Sequence, residues 1–174
     1  MSAVASEDFI QVYNDHVWDV YGFFAYRLRS RADAEDLTQL TFERALRAWS
    51  RFDEQRSQPK TWLIAIARNL LIDHFRRDRS GQREPIGENG VSENALPHLG
   101  PADEGLGISP ALAAALKQLG QRECEVIALR FGGDLNGPEI AEMLGLSLAN
   151  VQQILSRSLR KLRALLEGSP VVRN

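Results

Sequence analysis

Apolar residues recur at helical spacing in every patterned stretch of the chain, which predicts an all-α fold. Over residues 7–29, Phe9, Val12, Tyr13, His16, Val17, Val20, Tyr21, Phe24 and Leu28 line one broad stripe of a first helix. A second helix is expected over 33–49, with Ala34, Leu37, Thr41, Ala45 and Ala48 on one face and Glu35, Gln39, Glu43 and Arg47 on another. Leu40 and Phe42 fall outside the apolar set. They are either the exposed centre of a protein-binding surface with a polar rim or residues packed under the preceding helix, and periodicity leaves both open. Residues 50–60 lose the helical period and read as a loop. A long helix is expected over 61–79, burying Leu63, Ile66, Ala67, Leu70 and His74 and turning Asn69, Asp73, Arg76 and Arg77 to another side.

The pattern then stops. Residues 80–109 are dense in Gly and Pro, with five acidic residues against Arg83, and read as a flexible acidic linker. Two small helical domains are expected around it, at 1–80 and 110–174, with the linker at 81–109. In the second, Pro110 after Ser109 opens a helix, 121–131 forms another before Gly132-Gly133, and Leu112, Leu116, Leu119, Val126, Ile127 and Leu129 supply its core.

The span 136–166 completes that domain as a helix-turn-helix. Asn136 caps the first helix, Pro138 sits in its first turn, and Glu139 stands where a capping box needs it. Gly145 breaks the helix and Ser147 caps the next. Val151, Leu155, Leu162 and Leu166 are expected to pack, leaving Asn150, Ile154, Arg157 and Lys161 on another face, free to lie in a groove. An ordinary amphipathic helix with a solvated basic face is the plainer reading of the same residues.

Composition narrows the choices. The net charge is −2, so attraction to nucleic acid must come from local patches, here Arg68, Arg76, Arg77, Arg79 and Arg83, and Arg157, Arg160, Lys161 and Arg163. No apolar run is long enough to span a membrane and the N-terminus lacks a signal-peptide pattern, so a cytoplasmic protein without membrane insertion is expected. One cysteine, Cys124, allows no internal disulfide and reads as core filler. His16 reads as structural, and with His74 and His98 far apart no metal and no cofactor is expected. Phe52 and Trp62 lie beside Arg76 and Arg77 and the amide of Asn69, the groups that unpaired bases need for stacking, neutralisation and edge reading. A solvated basic helix end with Trp62 in the core accounts for them equally well.

Two motifs carry a resemblance to a known family. Asp33-Ala34-Glu35-Asp36-Leu37-Thr38-Gln39 with Phe42, and the run from Trp62 to Asp73, WLIAIARNLLID, resemble conserved regions of bacterial sigma factors. With the linker and the helix-turn-helix, the chain is similar to the extracytoplasmic-function group, which keeps only regions two and four. That resemblance implies a subunit that directs RNA polymerase to promoters, with no catalysis of its own. It implies that Asp33, Glu35, Asp36, Gln39 and Phe42 dock on the beta-prime clamp, the core polymerase being held at the clamp and the beta flap. Phe52, Lys60, Trp62, Asn69, Asp73, Arg76 and Arg77 would read and melt the minus-ten element, Phe52 and Asn69 standing where the family handles a flipped base. Ser147, Asn150, Gln152, Gln153, Ile154, Arg157, Arg160 and Lys161 would read the minus-thirty-five element, and family habit adds an anti-sigma factor as a partner. The sequence departs from the family at Leu40, often acidic, and at Gln152 and Ile154, commonly basic. Weaker phosphate anchoring is expected there, with Asn150, Gln152 or Gln153 pairing with adenine edges and Ile154 touching a thymine methyl.

Three other classes explain less. A response-regulator effector would account for 119–126 and the helix-turn-helix, but not for a first half without alternating strands and helices. A helical adaptor using the Phe42 face leaves both basic helices without a role. An enzyme lacks a phosphate loop, and Asp33, Glu35 and Asp36 diverge around a helix too far to hold magnesium together.

Overall fold

The computed structural model describes residues 3–81 and 107–168; the linker and its acidic residues fall largely outside them. Seven α-helices and no strand are found among the described residues. They are α1 (Ala3–Ala25), α2 (Arg31–Ala48), α3 (Pro59–Gly81), α4 (Pro110–Leu116), α5 (Gln121–Ile127), α6 (Gly137–Leu144) and α7 (Leu148–Glu167). A single 3-10 turn, Trp49–Arg51, follows α2, and a π turn, Ala128–Gly132, follows α5.

Local chemistry sets the helix ends. The hydroxyls of Ser30, Ser109 and Ser147 accept N–H bonds from Asp33, Leu112 and Asn150, so α2, α4 and α7 each start on a side-chain cap. Asn136 accepts from the Glu139 N–H at 2.9 Å while the Glu139 carboxylate accepts from the Asn136 N–H at 2.7 Å, a reciprocal cap on α6. Gly145 ends α6 at φ 65°, in the left-handed region that suits a residue without Cβ, and thereby sets the angle between the two helices.

Helices α1, α2 and α3 pack around Val20, Phe23, Phe24, Leu37, Leu63, Ile64 and Leu70. Phe23 and Ile64 lie at helical positions adjacent to the expected stripes, which are wider in the structure than the pattern indicates. The core does not stop at the domain boundary. Val126, Leu129, Leu135, Ile140 and Val151 of the second half belong to the same buried cluster, whereas Leu116, Leu119, Cys124, Ile127 and Leu162 form a smaller one beneath α4. The two halves therefore share the larger core, and the second keeps a smaller one of its own.

The junction is a pair of glycines. Gly22, near the end of α1, meets Gly132 in the π turn so closely that a Cβ on Gly22 would stand 2.6 Å from the Gly132 carbonyl oxygen. In the reverse direction a Cβ on Gly132 would stand 2.5 Å from the Gly22 oxygen, so neither helix nor turn can retreat without separating the halves. Two opposing effects make Gly22→Ala a test. Within a helix the change should stabilise by about 0.5–1 kcal/mol, whereas overpacking costs about 1–3 kcal/mol. The expected outcome is a lower thermal midpoint; a higher one would mean that α1 and the π turn are apart in solution.

Candidate nucleic-acid and polymerase interfaces

Three surfaces gather the residues singled out from the sequence. Along α1 and α2 runs an apolar groove of about 820 Å³, lined by Phe9, Tyr13, Trp18, Gln39, Phe42 and Glu43 among others. Glu35 lies at its edge, paired with Arg31 at 2.7 Å, whereas Asp33 and Asp36 are not among its lining residues. Phe42 is only 5% exposed, so it forms the floor of the groove and not a projecting contact. Its ring meets Phe9 and Tyr13 edge to face, at 6.4 and 4.7 Å, which is the second of the two packings the sequence leaves open. Trp18, 75% exposed at the same groove, is absent from the sequence-based set. It stands off the buried stripe of α1, and a large indole in that place is the signal that marks it.

The second surface is an aromatic cluster at the start of α3. Phe52 stacks on Trp49 with ring planes 12° apart and centroids at 5.0 Å, and lies 4.7 Å from Trp62. Trp49, which the sequence reading assigns only to the end of α2, completes this stack. Asn69 is exposed about two turns further along α3, Asp73 lies 3.8 Å from Arg76, and Arg76 and Arg77 are exposed beyond it. Lys60 behaves differently: its ammonium donates to Asp134 of the other half at 2.8 Å. Next to it the Thr61 hydroxyl donates to Glu139 at 3.1 Å, and Arg68 pairs with Glu125 at 2.8 Å.

The third surface is α7. Asn150, Gln152, Gln153 and Arg160 are exposed, and the Ser147 hydroxyl is committed to its cap. Arg157 and Lys161 lean toward Glu123 at 3.5 and 3.8 Å, which ties this helix to the start of α5. Ile154 corrects the sequence reading. It is 5% exposed and sits in the core with Val151, Ser158 and Leu162, so it cannot reach a thymine methyl from where the fold holds it. Positions 151, 154, 158 and 162 make the packed stripe, and Ile154 belongs to it at the three-residue step.

Two buried groups are shifted by their surroundings. Burial pushes the Cys124 thiol up, and its Sγ donates to the Leu116 carbonyl at 3.2 Å, as expected of core filler. Burial also pulls the Arg27 guanidinium down from its ordinary value. No helix among the described residues is long and apolar enough to cross a membrane, and no described cluster of His, Cys, Asp or Glu could hold a metal ion.

Comparison with known proteins assigns this architecture. The family model described as Sigma-70 region 2 matches residues 12–81, and that described as Sigma-70, region 4 matches residues 115–164, so the class is that of sigma factors with these two regions. The chain is 31% identical over 168 residues to the ECF RNA polymerase sigma factor SigX of Bacillus subtilis, covering 92% of this chain and 84% of SigX. It is 33% identical over 163 residues to the ECF RNA polymerase sigma factor BldN of Streptomyces coelicolor, where it covers 92% of this chain but spans only 61% of BldN. The chain belongs to the extracytoplasmic-function group of bacterial RNA polymerase sigma factors. Its fold is like that of the sigma factor RpoE in complex with the anti-sigma factor NepR from Bartonella quintana, with a TM-score of 0.69 at 22% identity, covering 94% of this chain and 99% of that one. The structure of CnrH in complex with the cytosolic domain of CnrY is similar at a TM-score of 0.64 and 26% identity, covering 94% of this chain and 90% of that one.

Asp134 isolates one contact between the halves. The Lys60 hydrogen bond holds its carboxyl below the ordinary carboxylate value, so its contribution is complete above that value and lost as pH falls through the lowered one. Its φ of 52° lies in the left-handed region, which Asn tolerates, so Asp134→Asn removes charge without adding backbone strain. Because Asp134 is largely exposed, the expected loss in a denaturant titration at neutral pH is under about 1 kcal/mol, shrinking with added salt.

Proposed function

We propose that this chain binds core RNA polymerase, directs it to promoters by reading the minus-ten and minus-thirty-five elements, and helps to melt the DNA. The observation that carries this reading is the presence of both sigma regions in one chain, each with a DNA-suited surface: aromatic and amide groups on region 2, and a capped, basic second helix on region 4. Neither patch is strong alone. Joined by a tether and held on a scaffold at the right separation, two weak contacts gain from effective concentration, and polymerase supplies that scaffold. The α1/α2 groove, with Gln39 at its side and Phe42 as its floor, is our proposed seat for the beta-prime clamp, with the beta flap holding region 4. Asp33 and Asp36 would act at its margin.

On this reading α7 enters the major groove with Asn150, Gln152 and Gln153 toward base edges and Arg160 toward phosphate. Arg157 and Lys161 reach phosphates only by leaving Glu123. Phe52, Trp62 and Asn69 capture unpaired bases, whose binding offsets about a few kcal/mol of lost stacking per base. Arg76, Arg77, Lys60 and Asp73 frame that site. A protein with this role acts in the cytoplasm, and the proposal gives the chain no catalysis of its own. An anti-sigma factor fits the same reading, since the related RpoE is seen with one.

Promoter binding also requires the halves to part. The two elements take their names from positions about 25 base pairs apart, roughly 85 Å of B-DNA at its spacing per base pair. A compact chain of this length is only about 40 Å across. The closed packing is therefore a state of the free protein, and the linker supplies the reach.

Transcription with purified chain, bacterial core polymerase and a promoter library tests the proposal. Start sites should depend on the chain and weaken about tenfold or more with Asn69→Ala, since base capture contributes a few kcal/mol. Gln153→Ala should change preference at one upstream base pair, by about 1–3 kcal/mol of discrimination. Duplex binding without any polymerase-dependent start sites would sink the reading, and a uniform loss across all promoters would contradict the role given to Gln153.

A further inference from the structure

The two walls of the groove along α1 and α2 differ in kind. Three charged residues line it, and two of them, Arg31 and Glu35, pair with each other at 2.7 Å. Glu43 is the third. It is exposed and pairs with no cation among the described residues, and Arg44 and Arg47 of the same helix are not among the lining residues. On the α1 wall stands Trp18, whose one ring neighbour among the described residues is Tyr21, edge on at 6.0 Å. Its indole N–H has no acceptor among them. Phe42 floors the groove, and Tyr13 and Leu46 add exposed apolar area.

At 75% exposure Trp18 adds little to the core, and an apolar patch of this kind marks a surface that another molecule covers. Trp is enriched among the few residues that dominate binding free energy, because one stiff side chain excludes water over a large area. Glu43 indicates what kind of molecule. A lone carboxylate at the rim of an apolar groove favours a cation beside an apolar side chain, the pattern of an amphipathic helix laid into a groove. The inference rests on the reading of this groove as the polymerase seat. We propose that Trp18 and Glu43 decide what the seat accepts: a helix whose apolar side chain enters over Phe42 and is covered by the Trp18 indole, while its Lys or Arg reaches Glu43. The indole contact, closed off from water, sets how long the partner stays. The rim charge, still wet, sets how fast it arrives.

Binding of the full chain to immobilised bacterial core polymerase, with both rates measured at low and high salt, tests this. Trp18→Ala should weaken binding by about tenfold or more, mainly through faster dissociation, with circular dichroism and thermal midpoint unchanged. Trp18→Phe should recover most of the loss. Glu43→Lys should slow association by about three- to tenfold at low salt and much less at high salt. At saturating Trp18→Ala, transcription should start at the same promoters in the same order of preference, since the indole touches polymerase and not DNA. Wild-type affinity in Trp18→Ala overturns the proposal, and if Gln39→Ala still weakens binding, the groove remains the seat. If Trp18→Ala, Glu43→Lys and Gln39→Ala all bind as the wild type does, polymerase docks elsewhere and the reading of the groove fails too. Self-association of the free chain that Trp18→Ala abolishes, with polymerase binding intact, assigns the groove to a second copy and likewise overturns the proposal.

Discussion

The arrangement depends on the absence of two side chains. With hydrogen at Cα in both Gly22 and Gly132, α1 and the π turn approach backbone to backbone, and Ile64, Leu129 and Leu135 are then drawn into one buried cluster. Each large apolar side chain so buried contributes about 1.5–3 kcal/mol relative to exposure. The polar contacts follow from that approach. Lys60 with Asp134, Thr61 with Glu139 and Arg68 with Glu125 are each too exposed or too partly buried to hold the halves alone.

Those contacts have a common sense of charge. Bases of α3 meet acids of the second half, and Glu123 meets Arg157 and Lys161 of α7. On the function proposed above, these carboxylates occupy basic groups that promoter phosphates would engage, so in a protein of net charge −2 a polyanion must compete with them. Apolar burial sets how tightly the halves close, and charge sets what can open them. The groove over Phe42 lies elsewhere, along α1 and α2, and stays available for a first protein contact.

Much of this was legible in the residues because it is local. Asn136, Ser147 and Ser109 announce their helices through hydrogen bonds that span three residues, and Gly145 marks the turn by a dihedral that few other residues adopt. The sigma resemblance likewise rests on contiguous motifs. What escaped was set across distance. Periodicity leaves Phe42 open between an exposed and a packed position, and what decides it is Phe9 and Tyr13, some thirty residues earlier, which cover it. Ile154 lies at the seam between the packed and outward faces of α7, where helical period alone decides poorly and apolar character was the better guide. Gly22 inside an apolar helix was a cue for close packing, but nothing in the sequence named Gly132 as its partner.

On the proposed function the free protein is closed, and promoter-bound polymerase opens it. The most direct measurement is the distance between a label in the loop before α3 and one at the end of α7, by energy transfer, first alone and then with core polymerase and promoter DNA. We predict strong transfer in the free chain and its near loss in the complex, as the halves move from about 40 Å of compact fold to roughly 85 Å of DNA. Weak transfer in the free chain, or no change on forming the complex, would contradict the account.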